Sequence, residues 1–261
     1  MKLRGLTKWI LAAIPFAIVF AAIVIYVEIN SAPRGYSVPD LTPQQKDTVA
    51  ETFINEKLVA DFHNKASVNQ PYQWEITEGQ ANHALASMDE IAYRLGSKKG
   101  IVNKALADLK LADPAVRFEN DRMILMIRSL DLDKVLSAGL SFDFDSQGKM
   151  LIKIQSVRLG NMPVPASFVQ QQIAALVKAL PPPQKAIRSD SSLKSEDLAK
   201  LLAIVLQACN GEPIVPEINY PRPVRVENIK IEEGQIQLQL QPIRRAVSRP
   251  GKSATNHRSD E

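Results

Sequence analysis

The chain is poor in the residues that build disulfide scaffolds, glycine repeats and metal sites. It has one cysteine, Cys209, with 11 glycines and three histidines in 261 residues. One cysteine excludes an internal disulfide, and few glycines with plentiful apolar residues exclude a collagen-like or fully disordered chain. His63, His83 and His257 are too scattered to form a ligand pair at helical spacing. We therefore expect no metal centre and no cofactor.

Excess positive charge is missing from the body of the chain. The formal net charge is +4, from 32 lysines and arginines against 28 acidic residues. Residues 1–27 hold three cations and no acid, and residues 244–261 hold five cations and two acids. The residues between them therefore have a net charge of −2. A basic face able to displace counterions from a phosphate backbone is not visible, so nucleic acid is not an expected partner.

Motifs for catalysis are absent from the sequence as well. It contains no glycine-rich phosphate loop and no serine flanked by glycines in the manner of a hydrolase nucleophile. Cys209 lies among Leu206, Gln207 and Ala208, where a small buried residue is a better interpretation than an activated thiolate. The chain is therefore not expected to be an enzyme, although a cleft that joins distant acid and base groups would reopen that alternative.

One segment is similar to the first half of a calcium-binding loop. Residues 143–148 read DFDSQG, which places oxygen ligands at alternate positions before a glycine. The twelfth position is Ile154 instead of the bidentate glutamate of such loops. A hairpin turn explains these residues better. Asp131 and Asp133 are a weaker metal signal still, because two acids at that spacing are common on exposed loops.

A long uncharged run stands near the amino terminus. The 19 residues from Trp9 to Val27 read WILAAIPFAIVFAAIVIYV. As a helix they extend about 28 Å, close to the roughly 30 Å of a hydrocarbon core. All three early cations precede the run, which predicts a cytoplasmic segment at residues 1–8 and an outside location for the rest. A cleaved signal peptide is the alternative, but its apolar region is normally shorter.

The sequence after the run divides into a spacer, one domain and a tail. Pro33 and Gly35 break regular structure, which predicts a short extended spacer over residues 28–41. An α+β domain outside the cytoplasm is expected over residues 42–243. Residues 244–261 are polar and lack periodicity, which predicts a disordered basic tail. The chain is thus expected in the cell membrane as a single-pass protein.

Four helices are expected in the domain. Thr42 and Thr77 each stand three residues before a glutamine, the spacing of a capping box at a helix start. Apolar stripes indicate two more helices, one over residues 166–180 and one that begins at Ser195 and ends just before Gly211. These helices should pack their apolar faces against the sheet.

Alternating apolar and polar residues predict an antiparallel sheet. Expected strands lie at residues 72–76, 116–118, 123–128, 140–144 and 150–159, followed by a final hairpin around Glu232 to Gly234. Phe142 and Phe144 fall on one side of their strand while Asp143 and Asp145 fall on the other. The sheet should therefore have one apolar face and one solvated face.

Two segments carry the pattern of a known family. Residues 77–85 read TEGQANHAL and residues 154–165 read IQSVRLGNMPVP. The first is similar to a T-x-x-Q-x-N-x-x-L pattern, and the second to a strand ending in a Leu-Gly and Pro-x-Pro turn, in the YpmS-like family of membrane-anchored bacterial proteins. The resemblance covers residues 73–180, and residues 195–211 have no counterpart. That family distantly resembles tubular lipid-binding domains, where a long helix packs in a strongly curved antiparallel sheet.

The resemblance implies an extracytoplasmic domain whose apolar concave face holds a lipid or an acyl chain in the cell envelope. The residues whose pattern places them on such a face are Phe142, Phe144, Ile152, Ile154, Val169, Ile173 and Leu176. The alternative is that these side chains simply bury one another. The domain would then be a non-enzymatic scaffold that positions a partner protein of the envelope at the membrane.

Overall fold

The computed structural model describes residues 20, 23, 24, 26–165, 167–171, 174, 207–218 and 223–243. Its strands are β1 (Tyr72–Thr77), β2 (Leu111–Glu119), β3 (Arg122–Ser129), β4 (Lys134–Phe144), β5 (Met150–Leu159), β6 (Met162–Pro163), β7 (Glu217–Ile218), β8 (Val224–Glu232) and β9 (Gln235–Pro242). Its helices are α1 (Pro43–Thr52), a π-helix (Phe53–Asn64), α2 (Lys65–Ser67), α3 (Glu78–Ala86), α4 (Met88–Arg94) and α5 (Ile101–Asp108). Residues 26–30, 167–171 and 207–209 are also helical. The expected α+β class is confirmed.

The strands form two antiparallel sheets that share a core. The smaller sheet has the order β1-β9-β8-β7 and the larger one β2-β3-β4-β5-β6. The antiparallel strands curl into a half-barrel, which confirms the expected curvature. Val116 and Phe118 of β2 are only 4% and 2% exposed and cluster with Ile76 and Ile231 of the smaller sheet. We call this side of the larger sheet its inner face.

Both expected capping boxes are present. Gln45 N–H donates to Thr42 Oγ1 at 3.3 Å, and Thr42 N–H donates back to Gln45 Oε1 at 2.8 Å. Thr77 and Gln80 repeat this exchange at 3.3 and 3.1 Å. The helix after Thr77 ends at Ala86, because the backbone leaves the helical conformation at Ser87. The two short helices that follow, α4 and α5, were not predicted, since neither has a side-chain N-cap that would mark its start.

The helix after Thr42 changes type and is fixed to β1. α1 passes directly into a π-helix, a form that is rare in proteins. Within the π-helix, the Lys57 carbonyl accepts a hydrogen bond from Trp74 Nε1 at 3.2 Å. Phe62, 8% exposed, packs edge-to-face on the rings of Tyr72 and Trp74 at centroid distances of 6.2 and 6.3 Å. These contacts bury Phe62 and hold the π-helix against β1.

β4 starts at Lys134, six residues before the expected start at Leu140. The earlier half was missed because both of its faces are covered, so no apolar and polar alternation marks it. Val135 and Ser137 are buried on one side, and Ala138 packs on the other. The sheet therefore lacks the continuous solvated face that was expected.

β5 changes faces halfway along its length. Gly139 pairs with Ser156 while Leu140 pairs with Ile154, so Gln155 is an extra residue in β5, as in a β-bulge. A β-carbon on Gly139 would lie 2.8 Å from Ser156 Oγ, which explains the glycine at this close approach. Because of the bulge, Ile154 lies on the inner face whereas Ser156 lies on the opposite one. Without the bulge, regular alternation would place both residues on the same face.

Residues 28–38 lie on the opposite side of the larger sheet, its outer face. The Asn161 N–H donates to the Glu28 carbonyl at 2.9 Å, and Tyr36 Oη donates to the Asp113 carbonyl at 2.9 Å. The Tyr36 ring also packs on a buried cluster of β2, β3 and β4. The segment expected as a spacer is thus attached to the sheet along its length.

The uncharged run from Trp9 to Val27 falls mostly outside the described residues. Those of its residues that are described, from position 20 onward, are helical with exposed apolar side chains. In the described part of the chain, no helix is long and apolar enough to cross a membrane. The anchor stays a prediction. The tail at 244–261 and most of the helices expected over 166–180 and 195–211 also lie outside the described residues.

Candidate ligand-binding groove

An open cavity of about 1040 Å³ lies along β5. Only the two-residue strand β6 and a single bridge from Met150 to Ile214 pair with that edge of β5 in the described residues. The middle of the edge therefore borders the helical residues 167–171 instead of another strand. The apolar lining includes Ile152, Ile154, Val157, Val164, Val169 and Cys209. We call this cavity the β5 groove.

The structure divides the seven predicted lipid-facing residues into three groups. Ile152, Ile154 and Val169 line the β5 groove together. Phe142 packs against two clusters of the core, and Phe144 packs against a third that contains Phe62. Ile173 and Leu176 lie outside the described residues. The structure thus brings three of the residues together at an open space and places the two phenylalanines between the sheets.

The rim of the β5 groove is polar. Among the described residues that line it, Lys153 is the one charged side chain. Lys153 Nζ lies 2.7 Å from Asp143 Oδ2, and both side chains are more than half exposed. Gln155 Nε2 donates to Ser141 Oγ at 2.8 Å. An apolar floor with an amide and ammonium rim suits an amphipathic molecule.

Cys209 is the reactive side chain nearest to this floor. Burial raises the pKa of its thiol, so the thiolate is scarce at neutral pH. The lining residues that the structure describes include no histidine and no carboxylate beside this thiol.

A second cavity, of about 460 Å³, lies on the outer face beneath residues 28–34. Its charged lining consists of Arg34, Arg117, Arg122, Arg158, Glu28 and Glu119. Glu119 accepts a hydrogen bond from Arg122 Nε at 2.6 Å and lies 3.6 Å from Arg117 Nε. Ion pairing within the described residues leaves the guanidinium groups of Arg34 and Arg158 without a carboxylate partner. A net charge summed over the whole domain does not reveal this local cluster of arginines.

A third cavity, of about 650 Å³, lies between α3, α5 and the start of β2. At its wall Arg128 Nη2 pairs with Asp113 Oδ2 at 2.6 Å. Burial, followed by the charge of Asp113, raises the pKa of the neighbouring Tyr36 phenol. That phenol is therefore neutral at physiological pH and acts as a hydrogen-bond donor, holding residues 28–38 to the sheet.

The segment similar to a calcium loop forms a hairpin turn. Asp145 Oδ1 accepts hydrogen bonds from the N–H groups of Gln147 and Lys149 at 2.8 and 2.9 Å, and Gly148 adopts a positive φ of 71°. Asp133 lies in an exposed turn 4.0 Å from Arg128. In the part of the chain that is described, no three histidine, cysteine, aspartate or glutamate side chains form a group suited to a metal ion.

Comparison with known proteins adds no identity to this geometry. No protein-family model matches the chain, and no curated protein has a significantly similar sequence. The resemblance to the YpmS-like family therefore stays a prediction, and the function has to be argued from the grooves and surfaces described above.

Proposed function

We propose that the chain is a single-pass, membrane-anchored envelope protein that binds a lipid or acyl chain in the β5 groove. The observation that carries the proposal is the open apolar space between β5 and residues 167–171. A filled core at this place would have favoured a purely structural role. The uncharged run that ends at Val27 supplies the membrane attachment.

The size and lining of the groove support an acyl ligand. Its volume of about 1040 Å³ is at the upper end of the roughly 300–1,000 Å³ that is typical of ligand pockets. Each methylene moved from water into such a lining contributes about 0.8 kcal/mol, so eight methylenes contribute about 6 kcal/mol before the cost of ordering the chain. An anionic headgroup would compete with Asp143, 2.7 Å away, for the exposed ammonium of Lys153 at the rim.

A photo-crosslinking experiment on the full-length protein tests this function. A fatty acid that carries a diazirine near its methyl end is added to the protein in vesicles, and the crosslinked peptides are mapped by mass spectrometry. We expect adducts on β5 and on residues 167–171. Adducts found only on residues 9–27, or spread evenly over the surface, would contradict binding in the groove.

Two adjacent residues provide a matched pair of variants. Val169 lines the groove, whereas its neighbour Phe168 is 54% exposed and does not. We expect Val169→Asp to reduce groove adducts about tenfold, since a carboxylate is costly beside an acyl chain, and Phe168→Asp to leave them unchanged. Equal effects of the two substitutions would count against the proposal.

A scaffold that docks a partner protein is the second candidate. It is favoured by β7, which is the outermost strand of the smaller sheet in the described residues. Ile218 in β7 and Val215 just before it are 37% and 55% exposed, and an open sheet edge is a template for pairing with another chain. Crosslinking from Ile218 in cells should then enrich one envelope protein over an unrelated anchored control.

A further inference from the structure

Three exposed leucines lie together at one end of the larger sheet. Leu109, Leu130 and Leu132 are 55%, 45% and 54% exposed. Leu109 follows α5, and the other two lie in the turn between β3 and β4. The Leu130 N–H donates to the Lys110 carbonyl at 2.8 Å, which joins the two loops. We call these three residues the leucine apex.

The end of the uncharged run reaches the same end of the sheet. Ser129 pairs with Lys134 where β3 turns into β4, and the next residue, Val135, accepts a hydrogen bond from Gly160 N–H at 2.8 Å. The Asn161 N–H in turn donates a hydrogen bond to the Glu28 carbonyl at 2.9 Å. Strand spacing is about 4.8 Å, so Glu28 lies within about 10 Å of the turn that carries the apex.

The connection between the run and the sheet is tight. Glu28 is the first residue after the run, and its carbonyl oxygen lies 2.7 Å from where a β-carbon on Gly160 would be. Residues 28–38 are then held by Tyr36 and by Pro33, which is buried. A flexible tether would let the domain move away from the membrane. Because residues 28–38 are attached to the sheet, they keep the domain close to the end of the run.

We propose that the leucine apex is seated in the interfacial layer of the lipid bilayer. The proposal rests on the membrane anchor of the proposed function, and it adds a second, peripheral contact made by the domain itself. The lipid surface is favoured over a protein partner because the apex stands beside the point where the run ends. Asp131 and Asp133 alternate with the leucines, which limits the depth to the headgroup region because carboxylates are costly in hydrocarbon.

The test places a benzophenone amino acid at single positions of the full-length protein in vesicles of phosphatidylcholine and phosphatidylglycerol. The positions are Leu132 at the apex, Gln147 in the β4–β5 turn at the opposite end of the same strands, and Phe20 inside the run. After illumination, phospholipid adducts are quantified by mass spectrometry. We expect strong adducts at Phe20, and at Leu132 an adduct yield about fivefold above that at Gln147.

The three positions separate failure of the inference from failure of the anchor. Lipid adducts at Phe20 with a Leu132 yield no higher than that of Gln147 would overturn the seated apex and leave the anchor intact. Adducts from Leu132 to a second copy of the chain would also overturn it. Absence of lipid adducts at Phe20 would overturn the anchor and the apex together.

Discussion

Replacing Gly160 by alanine is expected to release residues 28–38 from the outer face. Gly160 has a φ of +59°, and a β-carbon there would lie 2.7 and 2.8 Å from the carbonyl oxygens of Glu28 and Ser31. Because these atoms belong to the backbone, no side-chain rotation relieves the overlap. The left-handed conformation costs alanine about 1 kcal/mol, and overpacking adds about 1–3 kcal/mol. The free energy of unfolding should therefore fall by about 2–4 kcal/mol.

Gly148 is a matched control for this substitution. It also has a positive φ, of +71°, but no heavy atom lies within 4 Å of the position of its β-carbon. Gly148→Ala should therefore cost only the backbone strain, about 1 kcal/mol. Urea unfolding of the full-length protein in one detergent, followed by circular dichroism, measures both variants.

Trypsin cleavage after Arg34 provides a second measurement of the Gly160 variant. Cleavage requires local release of the chain, so Gly160→Ala should accelerate it and Gly148→Ala should not. Equal unfolding free energies and equal cleavage rates for the two alanine variants would refute the argument that residues 28–38 are fixed to the sheet.

Two further predictions concern local stability. Thr77→Ala removes a capping side chain and should lower the unfolding free energy by about 1 kcal/mol, whereas Thr48→Ala on the exposed surface of α1 should change it less; equal losses in thermal melts would contradict this. Burial raises the pKa of Tyr72 to about 12, while an unfolded tyrosine titrates near about 10. Folded Tyr72 therefore keeps its phenolic proton to a higher pH than unfolded Tyr72 does. The free energy of unfolding should fall as the pH rises from about 10 through 12. In urea titrations Tyr72→Phe should show a smaller fall, and an identical fall would contradict the assignment.

Local features of the fold were predictable from the sequence because their causes are local. A capping box needs only four residues, so Thr42 and Thr77 marked two helix starts correctly. The final hairpin was predicted from alternation on both sides of Gly234, and its turn lies between β8 and β9 as expected. The first half of β4 was missed because residues 28–38 cover its outer face, a contact between segments about 100 residues apart in sequence.

The candidate site was predictable only in part. Alternation assigned Phe142, Ile152 and Ile154 to one apolar face, and the strand pairing supports that assignment. Alternation does not say what covers a face, however. Phe142 meets the smaller sheet, while Ile154 reaches an edge that borders the groove. The arginines of the outer-face cavity come from different strands and from residue 34, so no sequence window contained the cluster.

The extra residue in β5 makes that strand tolerant of a shorter length at one position. Gln155 has no partner of its own in β4, because its neighbours Ile154 and Ser156 pair with consecutive residues there. Removing it would leave both neighbours in their pairings and on their present faces, so the apolar and the arginine-bearing sides of β5 would stay separate. Ile127 in β3 has no such freedom, since it and its neighbours pair with β4 residue for residue, and its removal would turn one half of the strand over. We therefore expect a Gln155 deletion to fold in an expression assay where an Ile127 deletion does not.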